Sequence, residues 1–251
     1  MSAPVLEVAA NSAASACAAQ AGGAARVELC AALELGGLTP SHGMIALARE
    51  RLDIAVYVLI RPRGGDFVYH DAEIDTMRRD IEACAALGCD GVVIGALDRH
   101  AAVDLAACRA LVDAAGAMGV TFHRAFDLTV DPATALEAVV ALGCERILSS
   151  GGKPDAMQGA EQLRRLVTQA GRRLAVMPGA GVRAGNIAAL AHHTGAREFH
   201  ASAKRAHPTR STVPTAFADM AAGETRTDSE EVRAMVEALR GTGGNPGEWD
   251  G

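Results

Sequence analysis

Short apolar runs, rich in Val, Leu and Ile, alternate along this chain with longer Ala-rich stretches of helical periodicity. The runs predict strands at Val5–Ala9, Arg26–Cys30, Ala55–Arg61, Gly91–Gly95, Val120–Arg124, Arg146–Ser150, Leu174–Gly179 and Glu198–Ser202. Helices are expected between them at Ser12–Ala21, Ser41–Arg51, Ala72–Leu87, Ala102–Met118, Pro132–Leu142, Ala160–Ala170 and Asn186–His193. Val232–Leu239 supplies an eighth helix. Asp131 followed by Pro132 reads as an N-cap with proline in the first turn. Strands that alternate with helices imply right-handed crossovers and a parallel sheet.

A short repeat points to a closed sheet. Gly23-Ala-Ala-Arg-Val27, Gly88-Cys-Asp-Gly-Val92, Gly143-Cys-Glu-Arg-Ile147 and Gly195-Ala-Arg-Glu-Phe199 share one form, a helix-ending glycine that feeds the next strand. They precede every second strand, so two βα units recur four times. The expected fold class is α/β, a single (β/α)8 TIM barrel over residues 1–240. The rival, an open doubly wound sheet, wants a G-x-G-x-x-G turn after the first strand, where Ala9-Ala-Asn-Ser12 stands. Residues 206–229 lack clear periodicity and read as a long loop over the barrel mouth. The Gly-rich 241–251 segment reads as a flexible tail.

Composition narrows the function. The length of 251 residues, with 49% hydrophobic and 22% charged, suits one domain of this class. Roughly a fifth of the chain is Ala, which suits helices packed closely on strands. A net charge of −6 gives no footprint for nucleic acid or an anionic membrane. Charged residues interrupt every apolar stretch before it reaches spanning length, and no secretory n-region opens the chain. Six cysteines without a C-x-x-C pair read as reduced thiols in the cytoplasm. Lys153 and Lys204 are the only lysines, so candidates for Schiff-base chemistry are few.

In a barrel, side chains alternate between lumen and helix layer, and the site lies at the C-terminal strand ends. With Leu6, Val8, Val27, Leu29 and Phe199 on the helix side, Glu7, Glu28, Cys30, His200 and Ser202 face inward. Arg61, His123, Met177 and Gly179 join them by the same count. Burying charges costs several kcal/mol each unless they are paired, so these residues form either an internal ion network or a functional site. Glu7, Glu28, His123 and His200 are the candidate acids and bases. Arg61 and Arg63, on the turn Arg61-Pro-Arg-Gly-Gly-Asp66, suit a carboxylate or phosphate. Gly179 and Gly181, before the helix that includes Asn186, and Ser202 would complete an anion site. Cys30 with Met177 offers soft ligands for Cu(I).

The motifs Arg26-Val-Glu-Leu-Cys30, Gly36-Gly-Leu-Thr-Pro-Ser41, Ile60-Arg-Pro-Arg-Gly-Gly-Asp-Phe67, Val120-Thr-Phe-His-Arg-Ala-Phe-Asp127, Leu148-Ser-Ser-Gly151, Met177-Pro-Gly-Ala-Gly-Val182 and Glu198-Phe-His-Ala-Ser202 occur in this order. Together, over about residues 5–240, they closely resemble the CutC family, named for copper homeostasis. The resemblance implies a cytoplasmic TIM barrel, assembly as a homodimer or higher homo-oligomer, and copper binding or copper tolerance. The polar lumen implies the alternative: a barrel enzyme acting on a small anionic or phosphorylated substrate.

Overall fold

The computed structural model describes residues 4–208 and 223–242. Eight strands run in parallel: β1 (Val5–Ala10), β2 (Arg26–Leu29), β3 (Ala55–Leu59), β4 (Gly91–Ile94), β5 (Gly119–Phe122), β6 (Arg146–Ser149), β7 (Ala175–Pro178) and β8 (Glu198–Ala201). Their order is β7-β6-β5-β4-β3-β2-β1-β8. β7 and β8 lie side by side and close the barrel without a registered ladder; a Cβ on Gly179 would come 3.4 Å from the His200 Cβ. Among the described residues, eight α-helices surround it: α1 (Ala13–Gly22), α2 (His42–Arg51), α3 (Asp71–Ala86), α4 (Leu105–Ala115), α5 (Pro132–Leu142), α6 (Ala160–Ala170), α7 (Ala184–Thr194) and α8 (Ser229–Gly241). No helix among the described residues is long and apolar enough to cross a membrane.

Local chemistry sets the junctions. The Asp131 carboxylate accepts from the Ala133 and Thr134 N–H groups and starts α5, with Pro132 in the first turn. Gly23, Gly143 and Gly195 end α1, α5 and α7 in the left-handed region, at φ 94, 83 and 70°, which is the reason for the glycine repeat. The helix-facing strand residues, such as Val8, Val27, Val58, Ile94, Phe122 and Phe199, are fully buried against the helices. This layer between sheet and helices is the main hydrophobic core. A small second apolar cluster, Cys30, Tyr57, Leu59 and Val93, lies inside the lumen.

The segment read as a loop at 206–229 departs from that expectation at its ends. β9 (Lys204–His207) and β10 (Glu224–Thr227) form an antiparallel pair that leads into α8. Their polar sequences, Lys-Arg-Ala-His and Glu-Thr-Arg-Thr, carry no apolar alternation, because the ladder is made by backbone, every residue of β9 is exposed, and only Thr227 of β10 is buried. Residues 209–222 of the expected loop and 243–251 of the expected tail lie outside the described residues. Gly241 itself belongs to α8.

Close packing inside the lumen requires glycine at two places. A Cβ on Gly91 would lie 2.1 Å from the Tyr57 Cε1, and one on Gly119 would lie 2.1 Å from its hydroxyl. Tyr57 cannot retreat, because the Arg26 and Arg146 guanidinium groups stand 5.1 and 4.9 Å from its ring. We expect Gly91→Ala to destabilise the fold by roughly 1–3 kcal/mol through this overpacking. Urea unfolding followed by circular dichroism measures it, and an unchanged midpoint would mean that the ring swings aside freely.

Candidate functional site

The lumen carries a column of charge that begins at the N-terminal strand ends. Glu198 on β8 accepts from Arg26 at 2.7 Å and from Arg146 at 3.0 Å. Arg146 also donates to Glu145 at 2.9 Å and to the Thr121 hydroxyl at 3.1 Å. The Tyr57 hydroxyl donates to Glu145 at 2.8 Å. One level higher, Arg26 Nε donates to Glu7, which is fully buried. The other Glu7 oxygen meets His200 Nδ1 at 2.7 Å. His200 Nε2 then faces Glu28 at 3.7 Å. Register explains the contact: Glu7 is paired laterally with Arg26 on one side and His200 on the other.

These neighbours sort the acids. Burial would raise the Glu7 carboxyl, but the Arg26 charge and the His200 hydrogen bond hold it down at about 2. Burial alone would lower His200, yet Glu7 and Glu28 raise it above its ordinary value. Glu28 has no comparable partner. Burial lifts its carboxyl to about 7, opposed by the His200 charge and aided by that of Glu7. Glu7 is therefore a fixed anion, and Glu28 is poised to exchange a proton near neutrality.

Above this column the mouth opens into a cavity of about 140 Å³. Glu28, Cys30, Arg61, His123, Arg124 and His200 contribute its polar wall, and Ala9, Leu33, Leu59, Phe67 and Leu148 its apolar wall. Arg61 is buried and leaves β3 toward the loop after β2. Its Nη1 donates to the carbonyls of Leu35 and Gly37 at 2.8 and 3.0 Å, and its Nη2 to that of Gly65 at 2.9 Å. Among the described residues no carboxylate forms an ion pair with it; its Nε makes no hydrogen bond of good geometry, and its remaining neighbour is the Tyr69 hydroxyl. The motif Gly36-Gly-Leu-Thr39 thus serves to cradle Arg61: the Thr39 hydroxyl accepts from the Arg61 N–H at 2.8 Å. Gly37, at φ 91°, lets the loop pass over Leu59, whose Cδ2 would be 2.6 Å from a Cβ there.

His123 follows β5 and its ring packs on Phe67, with centroids 4.9 Å apart. Its Nδ1 accepts from the Ala125 N–H at 3.1 Å, so the neutral ring carries its proton on Nε2. That Nε2 is buried without a partner. Burial, with the Arg61 charge in support, pushes the His123 pKa down to about 3. The motif that follows has a structural role as well. Asp127 accepts from the Ser149 hydroxyl at 2.6 Å and from the Ser150 and Gly152 N–H groups at 2.9 and 3.1 Å, which pins the loop after β6 to that after β5.

The lumen thus holds all five of Glu7, Glu28, Arg61, His123 and His200. The expected anion site is not assembled as one unit. Arg63 points away to Glu73 and Asp66, at 2.5 and 3.1 Å, and does not line the mouth cavity. Gly181 and Ser202 line a separate surface cavity of about 450 Å³ with Arg183, Lys204 and Arg205. There the Ala184 N–H in the first turn of α7 already donates to Glu231 at 3.0 Å. Gly179 packs against Leu148 and His200 instead of exposing a donor site. Cys30 lines the mouth cavity; its thiol donates to the Ala10 carbonyl at 3.7 Å, and burial pushes its pKa well up. Met177 lies deeper, where its sulfur accepts from Arg26 at 3.5 Å. Sequence reasoning missed Arg26, Tyr57, Arg146 and Glu198 as the base of the column. The alternation that turned Glu28 and Cys30 inward also turns Arg26 inward.

The comparisons with known proteins agree with this architecture. The CutC family matches residues 4–205, and the chain belongs to that family. It is 56% identical over 236 residues to a family protein CutC of Xanthomonas axonopodis pv. citri, covering 94% of this chain and 98% of the relative. The crystal structure of a CutC protein from Streptococcus agalactiae matches with a TM-score of 0.76 at 34% identity, covering 79% of this chain and 98% of that one. A thiamine phosphate pyrophosphorylase from Pyrococcus furiosus shares the fold alone, with a TM-score of 0.61 at 14% identity over 96% of this chain and 97% of that one.

The charge column makes stability depend on pH in a defined direction. Glu28 is raised from 4.5 to about 7 on folding, and His200 is raised from 6.5. Both bind protons more readily in the folded state, so their contribution is complete below the unfolded pKa and is lost as pH rises through the folded one. Glu7, lowered from 4.5 to about 2, acts oppositely and only below pH 4.5. We expect urea-unfolding free energy to fall across pH 5–8, and Glu28→Gln to flatten that fall by on the order of 1–3 kcal/mol. Parallel pH profiles for the two proteins would show that Glu28 titrates as it does in the unfolded chain.

Proposed function

We propose that this chain is a barrel enzyme that performs general acid–base chemistry on a small anionic substrate in the cavity at the barrel mouth. The observation that carries the proposal is the buried Arg61. Carbonyl oxygens orient its guanidinium, but no described carboxylate pairs with it. A buried cation without a counter-ion is costly, and a substrate carboxylate or phosphate in the cavity supplies that counter-ion. Glu28 lines the same cavity and serves as the proton-transferring group. Glu7 and His200 are positioning residues that hold the charge behind it. The resemblance supports a cytoplasmic homodimer or larger homo-oligomer, and the net charge of −6 argues against nucleic acid as a partner.

The second reading is copper homeostasis, the role that the name of the Streptococcus agalactiae relative carries. Cys30 in the cavity wall favours it. The remaining donors do not fit a tight Cu(I) site. Met177 is engaged by a guanidinium cation, the Cys30 thiol resists ionisation, and no described cluster of three or more His, Cys, Asp or Glu is arranged for a metal. We expect a Cu(I) chelator such as bicinchoninate to strip added copper from the wild type and from Cys30→Ser alike. Stoichiometric copper retained by the wild type and lost in Cys30→Ser would support the copper reading instead.

Anion binding separates the arginines. Inorganic phosphate and small carboxylates should raise the melting temperature in a saturable manner, and Arg61→Ala should abolish that rise. Arg63→Ala should leave it intact, because Glu73 and Asp66 already neutralise Arg63. An equal loss in both variants, or no stabilisation of the wild type by any of these anions, would overturn the assignment of Arg61.

A further inference from the structure

We propose that the mouth cavity enolises a small carbonyl compound that bears one anionic group, with His123 as the neutral donor to the carbonyl oxygen. The inference rests on the acid–base reading above and names its substrate class. It comes from three groups on different strand ends that meet in one cavity with complementary functions.

His123 is the first. Its Nδ1 is occupied by the Ala125 N–H at 3.1 Å, which fixes the tautomer and leaves Nε2–H as the free donor. That atom is buried and without a partner among the described residues, although the ring lines the cavity. A buried donor left unpaired is costly, so it is an unusual feature unless a ligand completes it. The ring is also held still. It packs on Phe67, and a Cβ on Gly95 would stand 2.5 Å from it, so Gly95 allows the ring to lie directly on the β4 backbone. A neutral imidazole held in this way can donate to a developing oxyanion without giving up its proton.

Arg61 is the second. Its guanidinium lies over the face of Phe67, 4.8 Å from the centroid, on the ring that also carries His123. Its side chain also interacts with the Tyr69 hydroxyl, so it is the guanidinium charge that Arg61 offers the cavity. The imidazole and the guanidinium thus both pack on Phe67, which spaces a carbonyl oxygen and an anionic group within a single small molecule. Glu28 is the third. Its carboxyl has no hydrogen-bond partner among the described residues, with His200 at 3.7 Å and the charges of Glu7 and Arg26 behind it, so its oxygens are free to accept a proton. Neither Lys153 nor Lys204 lines the cavity, so the carbonyl is activated by hydrogen bonding and not as a lysine imine.

The step balances without an added oxidant or reductant. A Glu28 oxygen takes the proton from the carbon next to the carbonyl. The C–H electron pair becomes the carbon–carbon double bond, and the carbonyl π pair moves to oxygen, where the His123 Nε2–H holds it. Arg61 binds the carboxylate or phosphate throughout. Return of the proton from Glu28 to the same carbon regenerates the compound, and exchange of that proton with solvent while it is held on Glu28 returns a solvent hydrogen in its place.

Solvent exchange tests this without knowledge of the natural substrate. The protein is incubated in D2O with pyruvate, 2-oxobutanoate or dihydroxyacetone phosphate, and the C–H signals beside the carbonyl are followed by proton NMR. The expected result is exchange at least tenfold above buffer for at least one probe. Glu28→Gln and His123→Phe should each bring it down to the buffer rate, and Arg61→Ala should raise the concentration needed for half-saturation. If no probe exchanges while the same anions still raise the melting temperature through Arg61, the enolisation is wrong and the anion-binding site stands. If no probe stabilises the protein either, the acid–base reading fails with it. A second measurement needs no variant: nitrogen-15 spectra of the His123 ring should show the Nε2-protonated neutral form at pH 6, and an imidazolium there would overturn the role given to it.

Discussion

The whole interior depends on one buried carboxylate. Glu7 is completely enclosed at the centre of the barrel, where an unpaired charge could not persist. Its oxygens are divided between Arg26 on β2 and His200 on β8, the two strands that flank β1. The pair is thus made across the backbone ladder itself, and a slip of either register by one residue would turn a charge into the helix layer. Hydrophobic packing between sheet and helices supplies the driving force for folding and already excludes a slip of one residue. The charges add discrimination against a slip of two, which would keep the apolar face but separate Glu7 from Arg26 and His200.

That constraint propagates in both directions along the lumen. Toward the N-terminal strand ends, Arg26 brings in Glu198, and Glu198 brings in Arg146, with Tyr57 between the two arginines. Each cation there has a carboxylate and each carboxylate a cation, which is the mark of a structural plug. Toward the mouth the matching stops. His200 is shared between Glu7 and Glu28, so Glu28 receives only part of a partner. Arg61 receives carbonyls in place of a carboxylate, and His123 Nε2 receives nothing among the described residues. The same barrel is saturated at one end and incomplete at the other, and the incomplete end is where barrels place their chemistry.

The strand–helix order was legible because apolar alternation and the recurring glycine after each odd helix are local signals, and the left-handed φ at Gly23, Gly143 and Gly195 accounts for them. The inward residues followed from period two alone. What the sequence did not disclose was pairing. Arg61 and Arg63 are two residues apart and chemically alike, yet one is cradled in the lumen and the other is neutralised by Glu73 and Asp66 at the surface. Similarly, Gly181 and Ser202 follow strands β7 and β8 as expected, but they open onto a different cavity. These distinctions depend on where loops return, and loop return is not encoded in a periodic pattern. β9 and β10 escaped for a related reason, since a two-stranded ladder with polar faces has no apolar signature.

The motifs that mark the family divide by the same physical criterion. Gly36-Gly-Leu-Thr39 holds Arg61 by its backbone and a hydroxyl, and Asp127 with Ser149, Ser150 and Gly152 ties two mouth loops together. Neither set needs to touch a ligand to matter. Both fix the wall in which Glu28, Arg61 and His123 present unsatisfied groups. A protein whose role was only to store a thiophilic metal would need soft donors brought together, and the loops would be arranged around Cys30. Here they are arranged around a guanidinium and an imidazole, with Cys30 tied to the Ala10 carbonyl at the cavity edge. On the proposed reading, this rigid frame of hydrogen-bond donors and one proton acceptor serves proton transfer beside a bound anion.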